Sequence, residues 1–115
     1  MNAAIDDLSL TMDHKQALQE AKHQLKKIFA VEKLVIFGSV ARGENDENSD
    51  LDLLVVTNKI MTHRERNAMS DIIFEINYRY STNISIVIVD SFSWNRGIYS
   101  LLPINFEILR DGVVV

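Results

Sequence analysis

The stretch that decides the fold is residues 33–56, which read KLVIFGSVARGENDENSDLDLLVV. Two short apolar runs, residues 33–37 and 51–56, enclose a polar segment that opens with Gly38. The first run is rich in β-branched and aromatic side chains, and Asp52 is the one carboxylate that interrupts the second. This pattern predicts two buried strands joined by a loop.

Helical patterns lie on both sides of these strands. Residues 12–30 repeat apolar side chains at helical spacing, and Thr11 or Ser9 can cap that helix. Residues 62–80 open with a Thr-x-x-Glu capping-box pattern and carry a second apolar stripe. Each long helix is therefore expected to pack one face on the strands.

A third strand is predicted over residues 83–89, which contain the run Ile-Ser-Ile-Val-Ile-Val. Asp90 or Ser91 can cap a short helical segment around Trp94.

The last elements are a helix that begins at Pro103 and ends near Arg110, a stop at Gly112 and an apolar tail, residues 113–115. The order α-β-loop-β-α-β-α predicts one α/β (α+β) domain over residues 1–115, with helices packed on a small sheet.

Composition excludes several classes of protein. The 115 residues are 47% apolar with one proline and four glycines, which excludes long flexible linkers and disorder. The absence of cysteine excludes disulfides and thiolate metal sites. The start of the chain resembles neither a signal peptide nor a membrane span, since residues 1–10 include Asp6 and Asp7, so a cytoplasmic protein is expected.

The formal charge of −4 argues against a broad nucleic-acid surface. That charge is local, however, because five acids fall within nine residues while 11 acids face 12 Lys and Arg elsewhere; the five are Glu44, Asp46, Glu47, Asp50 and Asp52. The argument against a nucleic-acid partner is weaker for this reason.

Asp50 and Asp52 are the first candidates for chemistry. Side chains two apart in a strand share a face, and two carboxylates about 5 Å apart repel by roughly 3 kcal/mol at an effective dielectric near 20. A divalent cation reverses that repulsion, and oxygen ligands favour Mg²⁺ or Mn²⁺. The alternative is a solvated strand edge or loop cap.

A phosphate-binding loop is predicted beside these acids. Gly38 allows close backbone approach, and the Ser39 hydroxyl with nearby amides can hold phosphate oxygens. The alternative is an ordinary turn after a strand. Arg42 can either counter phosphate charge or pair with nearby surface acids, which are Glu44, Asp46 and Glu47.

Residues 38–43 and 48–56 together closely resemble the signature of the minimal nucleotidyltransferases in the DNA polymerase β superfamily. The resemblance implies the nucleotidyltransferase fold with a small mixed sheet flanked by helices. It also implies that Gly38 and Ser39 contact the triphosphate of ATP or another nucleotide, and that Asp50 and Asp52 bind Mg²⁺ or Mn²⁺. The implied reaction transfers a nucleoside monophosphate to a hydroxyl.

One position departs from the family pattern. Active members carry a third carboxylate on the third strand, and aligning that pattern with residues 84–87 places Ser85 there. Asp90 is five residues further along, about 17 Å away in an extended strand and on the opposite face, so an ordinary capping role is expected for it. Losing this ligand would weaken the second metal site and the general-base function, while nucleotide binding is retained in this interpretation.

The resemblance also implies a partner, a small helical HEPN-type protein in a toxin–antitoxin pair. The chain would be the antitoxin, transferring AMP to a hydroxyl of that partner. The alternative is a catalytically impaired module that neutralises its partner by binding alone. A transferase acting on a small molecule or nucleic acid is disfavoured because no separate substrate domain is evident.

Other polar and aromatic residues are given structural roles. The histidines lack metal-ligand spacing and are expected at the surface, namely His14, His23 and His63. The aromatic residues are expected to pack in the core, with a partner surface as the alternative, namely Tyr78, Tyr80, Phe92 and Trp94. A solvated helix face explains the lysines at 22, 26 and 27.

Overall fold

The computed structural model describes residues 8–45 and 49–115 of the chain. The element order is α1 (Met12–Ile28), β1 (Val31–Phe37), β2 (Leu51–Thr57), α2 (His63–Tyr80), β3 (Ile84–Asp90), α3 (Ser91–Asn95), a 3₁₀ helix (Ile98–Leu101), α4 (Pro103–Asp111) and β4 (Val113–Val114). The predicted order is confirmed, while the 3₁₀ helix and β4 are additions to it.

The strands form one mixed sheet in the order β3-β2-β1-β4. β1 is antiparallel to β2 and β4, and β2 is parallel to β3. β2 is thus a central strand, which explains why its apolar run is almost continuous: six of its seven residues are buried and only Asp52 is partly exposed.

Helices cover both faces of the sheet. One core cluster joins α1 and α2 to the face that carries Leu51, Leu53 and Val55. A second cluster joins Trp94 of α3 and Ile108 of α4 to the face that carries Leu54 and Val56. Because side chains alternate along a strand, Asp52 lies on the face that α3 and α4 cover.

Local sequence explains where the helices begin. Thr11 caps α1 by accepting a hydrogen bond from the His14 amide. Thr62 and Glu65 complete the predicted capping box at the start of α2. No helix in the described part of the chain is long and apolar enough to cross a membrane.

The C-terminal tail differs from the sequence expectation. Val113 and Val114 pair with Ile36 and Val35 of β1, so the tail adds a fourth strand to the sheet. Gly112 ends α4 as predicted, but its φ is −62° and it forms no left-handed turn. A glycine is required there because a Cβ would collide with the Ile108 carbonyl oxygen and the Val35 side chain.

The core prediction is wrong for two of the four aromatic residues. Trp94 is buried and Tyr80 packs against the core, but Tyr78 is 85% exposed and Phe92 is 68% exposed. Tyr78 follows buried Ile76 by two positions, about 200° around the helix, and the same offset separates Phe92 from Trp94. Each therefore points away from the core.

The surface prediction is confirmed for His23 and His63 and wrong for His14. His14 is half-buried, and its Nδ1 is enclosed without a hydrogen-bond partner among the described residues. Lys26 and Lys27 are exposed and Lys22 is half-buried on α1, which agrees with a largely solvated face.

Candidate nucleotide and metal site

The ends of three strands bring the candidate residues to one corner of the sheet. Asp52, near the start of β2, pairs with Phe37 at the end of antiparallel β1. On its other side it pairs with Ser85 near the start of parallel β3. Since paired residues share a face, the corner collects the residues that follow β1 and those that precede β2 and β3.

Gly38 lies directly against the Asp52 side chain. It has φ +78°, which favours glycine, and a Cβ at this position would lie 3.3 Å from Asp52 Cγ and collide with Oδ2. The carboxylate therefore occupies the space that a larger residue would need. Gly38 and Asp52 are adjacent because β1 and β2 are antiparallel, which the sequence pattern did not specify.

The loop after Gly38 is a compact turn. The carbonyls of Gly38, Ser39 and Val40 accept hydrogen bonds of 2.9–3.2 Å from the amides of Arg42, Glu44 and Gly43 respectively. Val40 anchors the loop because its side chain is buried in the core. Ser39 is thus fixed directly beside Gly38 and remains partly accessible.

Asp50 lies one residue before β2 and is exposed. Its Oδ1 accepts a 2.6 Å hydrogen bond from Asn83 Nδ2, and the neighbouring Leu51 amide donates to the Asn83 carbonyl at 2.9 Å. These two bonds attach the Asp50 segment to the start of β3. Sequence reasoning missed Asn83, because its role appears only once β2 and β3 are placed in register.

The electrostatics of Asp52 are unfavourable without a counter-charge. Burial raises the pKa of the Asp52 carboxyl, and the negative charge of Asp50 raises it further. The positive charge of Arg42 acts in the opposite direction. A partly buried carboxylate close to a second one is the condition in which a bound cation is stabilising.

Arg42 takes one of the two roles predicted for it, and its part in countering phosphate charge stays a prediction. It forms a 3.1 Å ion pair with Glu44, which confirms the surface pairing. Its charge also acts on Asp52, as the pKa of that carboxyl indicates. The other two acids proposed as its partners, Asp46 and Glu47, lie outside the described residues, as does Asn48 of the motif.

The third strand places Ser85 and Asp90 as the sequence predicts. Ser85 lies beside Asp52, and Asp90 pairs with Thr57 at the far end of β3. Asp90 caps α3, accepting hydrogen bonds of 2.9 Å from the Ser93 amide and 2.7 Å from its hydroxyl. These bonds lower the pKa of Asp90, and the strand separates it from the corner.

Within residues 8–45 and 49–115, no group of three or more histidines and acids is placed to hold a metal ion. Two carboxylates are enough for Mg²⁺ when substrate phosphates and water supply the remaining oxygen ligands. Asp50 and Asp52 fit that arrangement.

Residues 18–111 match the family model described as a nucleotidyltransferase domain. The chain belongs to this family. The match begins within α1, at residue 18, and includes every later element up to α4 together with the Gly38–Asp52 corner. It confirms the nucleotidyltransferase fold that the motif predicts.

Curated relatives come from Methanocaldococcus jannaschii and are described as candidate protein adenylyltransferases. One is 41% identical over 59 residues, which cover 50% of this chain and 40% of that protein. Another is 29% identical over 79 residues, covering 67% of this chain and 80% of the relative. A third is 46% identical over 41 residues, covering 36% of this chain and 48% of that protein. The first and third matches thus span less than half the length of those relatives.

Solved structures share the fold. A candidate minimal nucleotidyltransferase is 25% identical with a TM-score of 0.60, covering 93% of this chain and 98% of that one. A chain from a toxin–antitoxin structure with AMP-PNP superposes with a TM-score of 0.57 at 15% identity. The superposition covers 84% of this chain and 69% of that chain. The second likeness concerns the fold alone.

Proposed function

We propose that the domain binds a nucleoside triphosphate with a divalent cation at the corner formed by Gly38, Ser39, Asp50 and Asp52. The observation that carries this proposal is the half-buried Asp52 carboxylate, which lies against a glycine and close to Asp50. An uncompensated acid at this position lowers the stability of the fold, and a bound cation would offset that cost.

Each residue has a distinct task in this proposal. Asp50 and Asp52 hold the cation, with Mg²⁺ or Mn²⁺ suited to their oxygen ligands. Gly38 and Ser39 contact the triphosphate, and Arg42 offsets part of its negative charge. The cation neutralises phosphate charge and stabilises the pyrophosphate leaving group when it is bound.

The reaction is a transfer of AMP from ATP to a hydroxyl. The acceptor oxygen forms a bond to the α-phosphorus, the bond from that phosphorus to the β-phosphate oxygen breaks, and pyrophosphate leaves with those electrons. The hydroxyl proton passes to a base or to water. The protein contributes mainly by positioning the reactants and countering their charge.

The acceptor in this proposal is a partner protein, a small helical HEPN-type toxin for which this chain is the antitoxin. Support comes from the relatives described as candidate protein adenylyltransferases and from the toxin–antitoxin structure with the same fold. The surface offers a second line of support. Large apolar side chains are exposed on α3, the 3₁₀ helix and α4, and exposed apolar surface of this kind marks protein–protein contact sites. They are Phe92, Ile98, Leu101, Phe106 and Leu109.

Ser85 favours a second candidate, a module that binds nucleotide and neutralises its partner by complex formation without transfer. Ser85, which carries a neutral hydroxyl, pairs with Asp52 in the sheet, at the position where the family pattern has the third carboxylate. A serine cannot supply that anionic ligand or act as a carboxylate base, so cation binding and proton removal would both be weaker.

Incubation with ATP labelled on the α-phosphate, Mg²⁺ and the product of the adjacent gene separates the two candidates. Label on that protein, lost in Asp50→Asn and Asp52→Asn, is the result expected of the transferase. A tight complex without label identifies the binding module. A wild-type protein that binds neither ATP nor Mn²⁺ contradicts both candidates.

A further inference from the structure

Asn83 is the residue at the corner that neither the motif nor the family pattern explains. It immediately precedes β3, and its backbone carbonyl accepts the 2.9 Å hydrogen bond from the Leu51 amide. It therefore extends the parallel ladder of β2 and β3 by one step beyond the Leu51–Ile84 pair. This step brings Asn83 beside Asp50, as Ser85 is beside Asp52.

The Asn83 side chain has a specific contact there. Its Nδ2 donates to Asp50 Oδ1 at 2.6 Å, a short bond that an ionised acceptor strengthens. An amide can donate through nitrogen while its own oxygen remains an acceptor. The bond uses Oδ1 of Asp50, and the carboxylate keeps further lone pairs, those of Oδ2 among them, for a cation.

Without this bond, Asp50 would have little to fix it. It is exposed and precedes the first residue of β2, where terminal backbone is least constrained. The hydrogen bond selects one orientation of its carboxylate. Fixing the orientation before the cation arrives reduces the entropy lost on binding.

We propose that Asn83 is a positioning residue of the nucleotide–cation site, whose side-chain amide orients the Asp50 carboxylate toward the corner that it shares with Asp52. This inference rests on the proposed function. It adds a residue that holds an acidic ligand through a hydrogen bond, an arrangement common around protein metal sites.

The test is the affinity of the full chain for Mn²⁺, measured from the electron paramagnetic resonance signal of the free ion with and without AMP-PNP. Asn83→Ala and Asn83→Leu are expected to weaken Mn²⁺ binding by about 10-fold. Asn83→Gln, which keeps an amide donor, is expected to recover part of the loss. Asn67→Ala, at an exposed position on α2, is the control and is expected to match wild type.

The melting temperature of each metal-free variant distinguishes positioning from a purely structural role. Weak Mn²⁺ binding with an unchanged melting temperature, and recovery in Asn83→Gln, support the inference. Wild-type Mn²⁺ affinity in folded Asn83→Ala or Asn83→Leu overturns it and leaves the proposed function intact. Absence of Mn²⁺ binding by the wild-type protein, with and without AMP-PNP, overturns the proposed function itself.

Discussion

At the scale of single residues, Asp52 is expected to lower the stability of the metal-free fold at the same position where it is proposed to bind a cation. Because burial and Asp50 raise its pKa, the folded protein holds the Asp52 proton more tightly than the unfolded chain does. The destabilising effect of Asp52 is absent at pH values below its pKa in the unfolded chain. It grows as the pH rises through its pKa in the folded protein and is complete above that value. The ionised carboxylate therefore destabilises the metal-free fold at neutral pH.

Asp52→Asn is expected to raise the melting temperature of the metal-free protein by a few degrees at pH 7 and to abolish its stabilisation by Mn²⁺ with AMP-PNP. Scanning calorimetry at several pH values measures both effects. Asp71→Asn, at an exposed position on α2, is the matched control. A lower melting temperature for Asp52→Asn at pH 7 would contradict the assigned electrostatics.

Ser85 is the position where a substitution can add a ligand. Because Ser85 lies beside Asp52, Ser85→Asp places a third carboxylate at the corner. We expect a lower melting temperature without metal, from like-charge repulsion, and about 10-fold tighter Mn²⁺ binding. Ser85→Asn is the neutral control, and equal Mn²⁺ affinities for the two variants would show that Ser85 lies outside the cation site.

At the scale of elements, Asp90 stabilises the start of α3. Asp90→Ala removes the two hydrogen bonds with Ser93 and is expected to cost about 1 kcal/mol of unfolding free energy. Because these bonds lower the Asp90 pKa in the folded state, this stability is present above the usual carboxyl pKa of 3.8 and is lost as the pH falls through the folded value.

Urea unfolding at pH 7 and at pH 3 measures this effect, and Asp90→Ser, which keeps a capping oxygen, is the control. Nucleotide binding is expected to be unchanged in both variants, since Asp90 is at the far end of β3. A loss of AMP-PNP binding in folded Asp90→Ala would mean that this residue belongs to the site after all.

Asn77 protects the edge strand β3. Its side chain accepts from the Ile84 amide at 2.8 Å and donates to the Ile84 carbonyl at 2.9 Å, while Arg66 donates to the Ile88 carbonyl at 3.3 Å. These bonds use backbone groups that another strand would otherwise pair with. α2 thereby limits edge-to-edge association of β3.

Asn77→Ala is expected to lower the unfolding free energy by about 1–3 kcal/mol, because both Ile84 groups lose partners. Denaturant unfolding measures the loss, and sedimentation velocity measures any self-association. Asn77→Asp keeps the acceptor for the Ile84 amide and is expected to lose less. An Asn77→Ala protein as stable as wild type would show that water replaces both bonds without cost.

The fold could be predicted from the sequence where one strong local signal was present. The apolar run of β2 and the capping box of α2 are such signals, and the structure has both. The two-residue strand β4 has no such signal, because it exists only through pairing with β1. The exposure of Phe92 and Tyr78 depends on which way short or weakly amphipathic helices face.

The site could be predicted only in part, because some of its contacts depend on how the strands pair. Asp50, Asp52 and Gly38 form a recognisable spacing, and strand parity correctly separates Asp90 from Ser85. Asn83 belongs to no motif in the sequence. Its contact with Asp50 depends on the parallel register of two strands that are separated by the whole of α2.

At the scale of the whole molecule, the corner and the exposed apolar side chains belong to different elements, and we propose different roles for them. The corner consists of strand ends and the Gly38 loop, whereas Leu101 and Phe106 are 79% and 62% exposed on the 3₁₀ helix and α4. Nucleotide binding and partner binding are therefore expected to respond to different substitutions.

Leu101→Asp and Phe106→Asp are expected to weaken the complex with the product of the adjacent gene by more than about 10-fold. AMP-PNP affinity should stay at the wild-type value. Ile60→Asp is the control, since Ile60 is 75% exposed in the loop before α2. Isothermal titration with each ligand tests both expectations, and an unaltered complex would place the partner elsewhere.

The central claim is that the corner formed by Gly38, Ser39, Asp50 and Asp52 binds a nucleoside triphosphate together with a divalent cation. The most direct test is isothermal titration of the full chain with AMP-PNP and Mg²⁺, comparing wild type, Asp52→Asn and the control Asp71→Asn. We expect saturable binding to wild type and control, and binding weaker by more than about 10-fold in Asp52→Asn. Absence of binding to the wild-type chain, or equal affinity in Asp52→Asn, would contradict it.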